Sequence, residues 1–341
     1  MSVAAISAGR RHRQRRRGLV VGALAAAVAV LFAVSLMVGN TFYGPLEVLR
    51  VILGEPVRGA SFAVGELRLP RAVVGVLAGV CFGIGGVTFQ TMLRNPLASP
   101  DIIGITSGAS AAAVVGIVFF SLPQTVVSMM ALAGALLTAL AIYLLSIRGG
   151  FAGTRLILIG IGIAAMLNSL VTYALSQAAS WDLQSAMRWL TGSLNASTWQ
   201  VVAPLAVVCA VLVPVLVLQG TNLDVLALGD DSAAGLGVRV TRTRILFIVG
   251  AVTLLAVATA ASGPIAFVAF MSGPIAARLI GPGASLLVPS AVVGALLVLA
   301  ADLLGQFAFD TRYPVGVVTG VLGAPYLIWL LIRSNRAGGS L

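Results

Sequence analysis

Apolar residues recur in long runs from Leu19 almost to the end of the chain, broken by short polar or Pro/Gly-rich stretches. Each run is about 20 residues, the length an α-helix needs to cross a hydrocarbon core. Strict alternation in segments of about ten residues, the mark of a membrane barrel, is missing. Lipid offers the backbone no hydrogen bonds, so near-continuous runs of this length predict transmembrane helices. The pattern predicts ten of them, at 19–38, 68–92, 101–120, 124–147, 155–176, 200–218, 243–262, 264–280, 287–307 and 315–333. Pro96, Pro123, Pro204, Pro264, Pro282 and Pro314 fall at or near their boundaries, where a residue without an N–H is tolerated. The 264–280 stretch also reads as a short interfacial piece.

An even number of spans puts both chain ends on one side. The arginines agree: 15 lie in the tails and in the loops near 94, 148–155, 239–244, 278 and 333–336. Only Arg50, Arg58, Arg68, Arg71, Arg188 and Arg312 lie on the other side. Basic residues concentrate on the cytoplasmic side of membrane proteins, so both termini are expected in the cytoplasm. The chain then divides into a basic cytoplasmic tail (1–18), a transmembrane domain (19–333) and a short cytoplasmic tail (334–341). The apolar run after the arginines has no clear small-residue cleavage site before Asn40 and reads as an uncleaved first helix. Trp181, Trp189, Trp199 and Trp329 fall near span ends, as belt anchors do.

Composition narrows the function. With 59% hydrophobic and 9% charged residues and a mean hydropathy of +1.07, the chain cannot coat a soluble domain. The net charge of +11 sits at the ends of apolar runs, as topology signals do, and does not point to nucleic acid. Every one of the 21 basic residues is Arg. A phosphate-binding P-loop needs Lys, so this chain is not a P-loop ATPase and any ATP must be used by a partner. Cys81 and Cys209 lie inside apolar runs and read as packing residues; His12 sits in the basic tail. No cluster of His, Cys and carboxylates calls for a metal or other cofactor, and no nucleophile–base arrangement calls for an enzyme.

Four stretches carry chemistry. Gly75, Gly79 and Gly83, spaced by four and followed by Gly85 and Gly86, put a flat stripe on the second helix, suited to close helix packing or to a smooth wall for a bulky solute. Gly316 and Gly320 repeat the spacing in the last helix. Arg94-Asn95-Pro96-Leu97-Ala98-Ser99-Pro100-Asp101 forms a proline-enforced turn with an acid at the start of the next helix. Gly104 to Ser110 then offers Thr106, Ser107 and Ser110, for polar helix packing or for lining a polar path. The long polar segment 222–237 reads as two short helices joined at Gly229, with Asp230 and Asp231 at the second one's N-terminus, where its dipole favours them. Such a pair on the cytoplasmic face suits a docking surface for another protein, or a plain interfacial loop. Asp302 is the only acid expected at depth, slender support for an ion-coupled carrier.

Taken in order, these stretches resemble the permeases of binding-protein-dependent ABC importers for iron–siderophore complexes, haem and cobalamin. The resemblance runs from Arg68 to Arg333. It is carried by Arg68-Leu69-Pro70-Arg71, Asn95 to Ser110, Asn222 to Gly237, Gly263-Pro264-Ile265-Ala266-Phe267-Val268, Ala301-Asp302, Pro314 to Thr319 and Gly323-Ala324-Pro325. It implies the all-α type II importer architecture: ten helices per subunit, a second permease subunit (a copy or a related chain), ATP-binding ABC subunits below and an extracytoplasmic substrate-binding protein above. It implies that Arg68 and Arg71, with Arg312, meet acidic residues of the binding protein. It places Asn95, Leu97, Gly153 and Thr154 at a cytoplasmic gate, and Gly79, Gly83, Thr106, Ser107 and Ser110 along the pathway. The ATPase contact then falls on Asp224, Leu226, Leu228, Gly229, Asp230, Asp231, Ala234, Leu236 and Gly237.

Two departures from the common pattern resemble the ferric-enterobactin branch. Ser272-Gly273-Pro274-Ile275-Ala276-Ala277-Arg278 stands where many relatives have Pro-His before Ala-Arg, and Gln306 stands where many have Arg. The resemblance therefore implies a ferric siderophore carried across a bacterial inner membrane, with haem or cobalamin as the alternative cargo. A carrier working alone is the alternative class, and co-purification with a soluble ATPase separates the two.

Overall fold

The computed structural model of the chain describes residues 3–99, 104–146, 153–195, 197–281, 283 and 285–338. Among these the regular structure is helical throughout. Eight helices are long and apolar enough to cross a membrane, and Ile105–Phe120 and Val268–Ile280 are shorter apolar helices. Together they occupy the ten predicted positions.

The first span, α1, runs Val3–Met37, so the basic tail continues the helix rather than preceding it. Its end is followed by a short helix α2 (Pro45–Ile52) and by α3 (Ala60–Phe62). A π-helical turn, Ala63–Arg68, then feeds α4 (Leu69–Met92). Pro70 explains the wide turn: its ring cannot donate to the preceding turn and would crowd a carbonyl there. Next come α5 (Ile105–Phe120), α6 (Gln124–Ser146), α7 (Gly153–Gln177), α8 (Ser180–Leu190) and α9 (Trp199–Leu218). Two short helices follow, α10 (Gly220–Leu226) and α11 (Asp230–Gly235). Four helices complete the chain: α12 (Val240–Ser262), α13 (Val268–Ile280), α14 (Leu287–Phe307) and α15 (Val315–Gly338). Arg17 of α1 donates to Gly283 O (3.0 Å), just past α13, and Arg278 at the end of α13 lies over Trp329 of α15. Both terminal helices thus approach the same end of α13, here called the tail side, the opposite end being the far side.

The core is built around α4, which is packed by α9, α12, α13 and α14. The glycine stripe explains how. A Cβ at Gly79 would lie 2.5 Å from Gly294 O and Ala295 Cα, and one at Gly83 would overlap Ser290 O. Gly294 in turn leaves no room for a side chain against Gly79 O, and Gly86 faces Ala269 O. Without a hydrophobic drive inside lipid, such backbone approach is what holds spans together. Gly79 and Gly83, expected along the pathway, are thus buried in a helix–helix contact in this chain.

The 264–280 helix is also shorter than expected. Gly263 (φ +69°), Pro264 and Phe267 (φ +64°) hold 263–267 in a turn, and α13 starts only at Val268. Thirteen residues rise about 20 Å, less than a hydrocarbon core of about 30 Å. Yet Val268, Ala269, Phe270, Met271, Ser272 and Gly273 are buried, so α13 is an internal half-span, not an interfacial piece. Cys81 and Cys209 meet inside the core as free thiols, Sγ to Sγ 3.2 Å. Of the tryptophans, only Trp181 projects freely. Trp189 is buried, Trp199 donates to Gly65 O (3.0 Å), and Arg278 lies over the Trp329 ring.

Candidate functional site

On the tail side, 220–237 folds as two short helices with the break at Gly229. That residue has φ +115°, a left-handed value that glycine alone adopts readily. Leu223, Leu226 and Ala233 are buried and fix the pair to the bundle. Leu228 and Leu236 are 64% and 65% exposed, and Asp231 and Ala234 are exposed beside them. Asp230 anchors the second helix: Arg244 Nη2 donates to its two carboxylate oxygens at 2.7 and 2.9 Å. Arg94, at the end of α4, lies 3.8 Å from the same carboxylate and donates to Leu226 O (3.4 Å). The segment is thus strapped to two spans, α4 and α12, while two leucines stand out towards solvent. Gly237 (φ +85°) ends it. Asp224 is half-buried; burial pushes its carboxyl up to about 6, the Ser285 hydroxyl opposing.

Beside it, Arg94 (φ +51°) turns the chain out of α4, and Asn95 Oδ1 accepts the Leu97 N–H (2.9 Å), an Asx turn. Asn95 is exposed and Leu97 half-buried. Gly153 and Thr154 open α7, with Thr154 exposed. Asp101 and Arg148 lie outside the described residues. In α5, Thr106 and Ser107 are half-buried and Ser110 is buried. Gly104 (φ +90°) starts that helix close to Gly160 O and Ala164 of α7.

α7 carries a feature that run-counting overlooked. Asn168, Ser169, Thr172 and Ser176 are exposed in the middle and far half of a membrane span. The three hydroxyls turn back onto their own helix: Ser169 to Ala165 O, Thr172 to Asn168 O, Ser176 to Tyr173 O. The Asn168 amide facing hydrocarbon would be costly. The signal was present as polar residues at 168, 172 and 176, one helical face inside an apolar run.

On the far side, Arg68, Arg71 and Arg312 line one polar cavity of about 470 Å³. Two of them are not free. Arg68 donates to Leu36 O and Met37 O (both 2.9 Å) and to Thr41 O (2.7 Å), and its guanidinium stacks on Tyr43. It thereby satisfies carbonyls that the end of α1 leaves unpaired. Arg71 forks onto buried Asp302 through Nε (2.9 Å) and Nη2 (2.7 Å), and donates to Asn195 Oδ1 through Nη1. Gln306 Nε2 completes the Asp302 set at 2.8 Å. Of the three arginines expected to face a binding protein, Arg68 and Arg71 are half-buried and hydrogen-bonded within the chain, and Arg312 is exposed and touches Asn40. This also explains why two arginines sit on the side the charge rule disfavours. Asp302 is the partner of one of them and not a lone acid at depth. A neighbouring cavity of about 340 Å³ is lined by Ser185, Arg188, Asn195 and Ser262.

Fold and site together define a polytopic helical membrane permease. The chain belongs to the FecCD transport family, whose model matches residues 27–333. It is 40% identical over 291 residues to the ferric enterobactin transport system permease protein FepG of Escherichia coli K12, covering 85% of this chain and 88% of that one. It is 39% identical over 323 residues to the achromobactin transport system permease protein CbrC of Dickeya dadantii, covering 94% and 92%. A metal-chelate-type ABC transporter solved in an inward-facing conformation superimposes with a TM-score of 0.83 at 25% identity, covering 93% of this chain and 99% of that one.

Proposed function

We propose that the chain is the membrane-spanning permease subunit of an ATP-driven importer that moves a ferric siderophore from a binding protein into the cytoplasm. The observation that carries this reading is the α10–Gly229–α11 platform. A segment tied to α4 by Arg94 and to α12 by Arg244, yet presenting Leu228 and Leu236 to solvent, is built to pass a push from a soluble partner to the core spans. The chain has no lysine for a P-loop, so hydrolysis belongs to that partner, an ATP-binding ABC subunit. Both termini and the platform are then cytoplasmic, in a bacterial inner membrane. The far-side cavity and exposed Arg312 receive the binding protein.

A second permease subunit fits against α7. The exposed Asn168–Ser176 face suits a partner helix and a wet path better than lipid. Thr106, Ser107 and Ser110 on adjacent α5, and the gate residues Asn95, Leu97, Gly153 and Thr154 at its tail end, would extend that path. The cargo travels as an intact chelate, so a path of hydroxyls, amides and small residues suffices, and no ligating cluster occurs among the described residues. FepG and CbrC, named for siderophores, support ferric siderophore over cobalamin. Radiolabelled iron and cobalamin uptake, measured side by side in a deletion strain, tests the cargo. Loss of iron delivered as at least one ferric siderophore, with normal cobalamin uptake, is expected. A selective cobalamin or haem defect would overturn it.

A further inference from the structure

Two cavities flank α12, one against α10 and one against α6. The first, of about 320 Å³, opens on the tail side between the platform and the start of α12, and is lined by Gln219, Asn222, Arg239 and Arg242. Both arginines are exposed, and neither has a hydrogen bond or ion pair among the described residues. The second, of about 170 Å³, is a groove between α6 and α12 walled by Leu140, Tyr143, Ile245, Ile248, Val249 and Val252. Arg242, Ile245, Val249 and Val252 follow one another at helical spacing, so Arg242, from the lining of the basic pocket, heads the stripe that walls the apolar groove.

The dimensions match an amphiphile. From Arg242 to Val252 the helix rises about 15 Å, half of a hydrocarbon core of about 30 Å. The groove therefore serves one leaflet. A cationic pocket at the membrane boundary with an apolar channel one leaflet deep fits one ligand class: a phospholipid with an anionic headgroup, its phosphate on Arg239 and Arg242 and an acyl chain against Ile245 and Val249. A soluble anion would fill only the pocket; a neutral lipid would leave two arginines unmatched.

We infer that the groove between α6 and α12 is a binding site for an anionic phospholipid, with Arg239 and Arg242 as headgroup ligands. Only the name of the leaflet, the inner one, rests on the importer reading. The site borders the platform: Asn222 and Gly237 line the basic pocket, and Arg244, two residues beyond Arg242, holds Asp230. A bound lipid would therefore steady the segment on which ATPase coupling depends.

The test is native mass spectrometry of the full-length permease released from nanodiscs containing equal phosphatidylglycerol and phosphatidylcholine. Wild type should retain phosphatidylglycerol preferentially. Arg239→Gln/Arg242→Gln should lower that preference about thirtyfold. Val249→Trp, which fills the groove and leaves the charges, should also abolish retention. Only variants with wild-type thermal transitions are compared, and lipid depth in the bilayer does not affect the reading. Equal retention of the two lipids by wild type would overturn the inference. So would displacement of the lipid by millimolar inorganic phosphate, which would make the pocket a soluble-anion site. Unchanged retention in the double variant with loss of ATPase assembly would do the same, assigning the arginines to the partner protein. Loss of transport with lipid retention intact bears on the importer reading and leaves this inference standing.

Discussion

Replacing Arg71 by Leu removes the fork from a carboxylate that is 3% exposed. Asp302 then keeps only the Gln306 amide. Removing one partner of a buried ion pair costs about 3–5 kcal/mol, because the other charge stays buried without compensation. The surviving Gln306 bond puts this case near the lower end. With an unfolding entropy of about 2.1 cal/mol/K per residue over 341 residues, about 3 kcal/mol lowers the apparent Tm by about 4 °C. The second half of the experiment is Arg71→Leu/Asp302→Leu. Replacing a buried pair by apolar residues is often neutral, so the double variant should melt within about 1 kcal/mol of wild type, or about 1.5 °C. Fluorescence-detected size exclusion after heating measures both. The reasoning fails if Arg71→Leu melts with wild type, or if the double variant is no better than the single.

Three further outcomes follow from the same geometry. Gly229→Pro forces φ from +115° to about −65° and breaks the platform; hydrolysis by the assembled ATPase should continue while uptake falls, measured together in one vesicle preparation. Arg312→Glu leaves the buried ion pair intact and should slow binding-protein association, with a weaker salt dependence of the on-rate measured by surface plasmon resonance. The Asp224 carboxyl is pushed up to about 6 from an ordinary 3.8 by burial. The unfolded chain binds fewer protons between those values, so the stability linked to this group is present below about pH 4 and lost as pH rises through about 6. Asp224→Asn should raise the apparent Tm at pH 7.5 and change it little at pH 4, read by the same heating assay.

The spans were legible because lipid demands long apolar runs, and the platform because its signals are local: Gly229 at a break, acids at a helix start. What escaped depended on distant partners. Arg71 and Asp302 are 231 positions apart, so neither could be read as the other's counter-charge. The Gly79 stripe is compatible in sequence with a helix partner or a solute wall, and the partner it packs against, Gly294, is distant in sequence. α2 escaped because it is short, with Glu47 and Arg50 on its polar face interrupting the apolar run in sequence. α8 escaped because polar residues occupy much of it, which a search for apolar runs passes over. The early start assigned to the 264–280 helix failed because the left-handed turn at Phe267 is held by packing: Gly323 leaves room for its ring.

The central claim is that this chain moves a ferric chelate only when a separate ATPase drives it. The direct measurement is uptake of a radiolabelled ferric siderophore into proteoliposomes holding the permease with its partner ATPase, the binding protein being added outside and ATP enclosed. The account predicts uptake that requires the ATPase, ATP and the binding protein together, and that is indifferent to an imposed proton or sodium gradient. Uptake by the permease alone, driven by such a gradient without ATP, would contradict it.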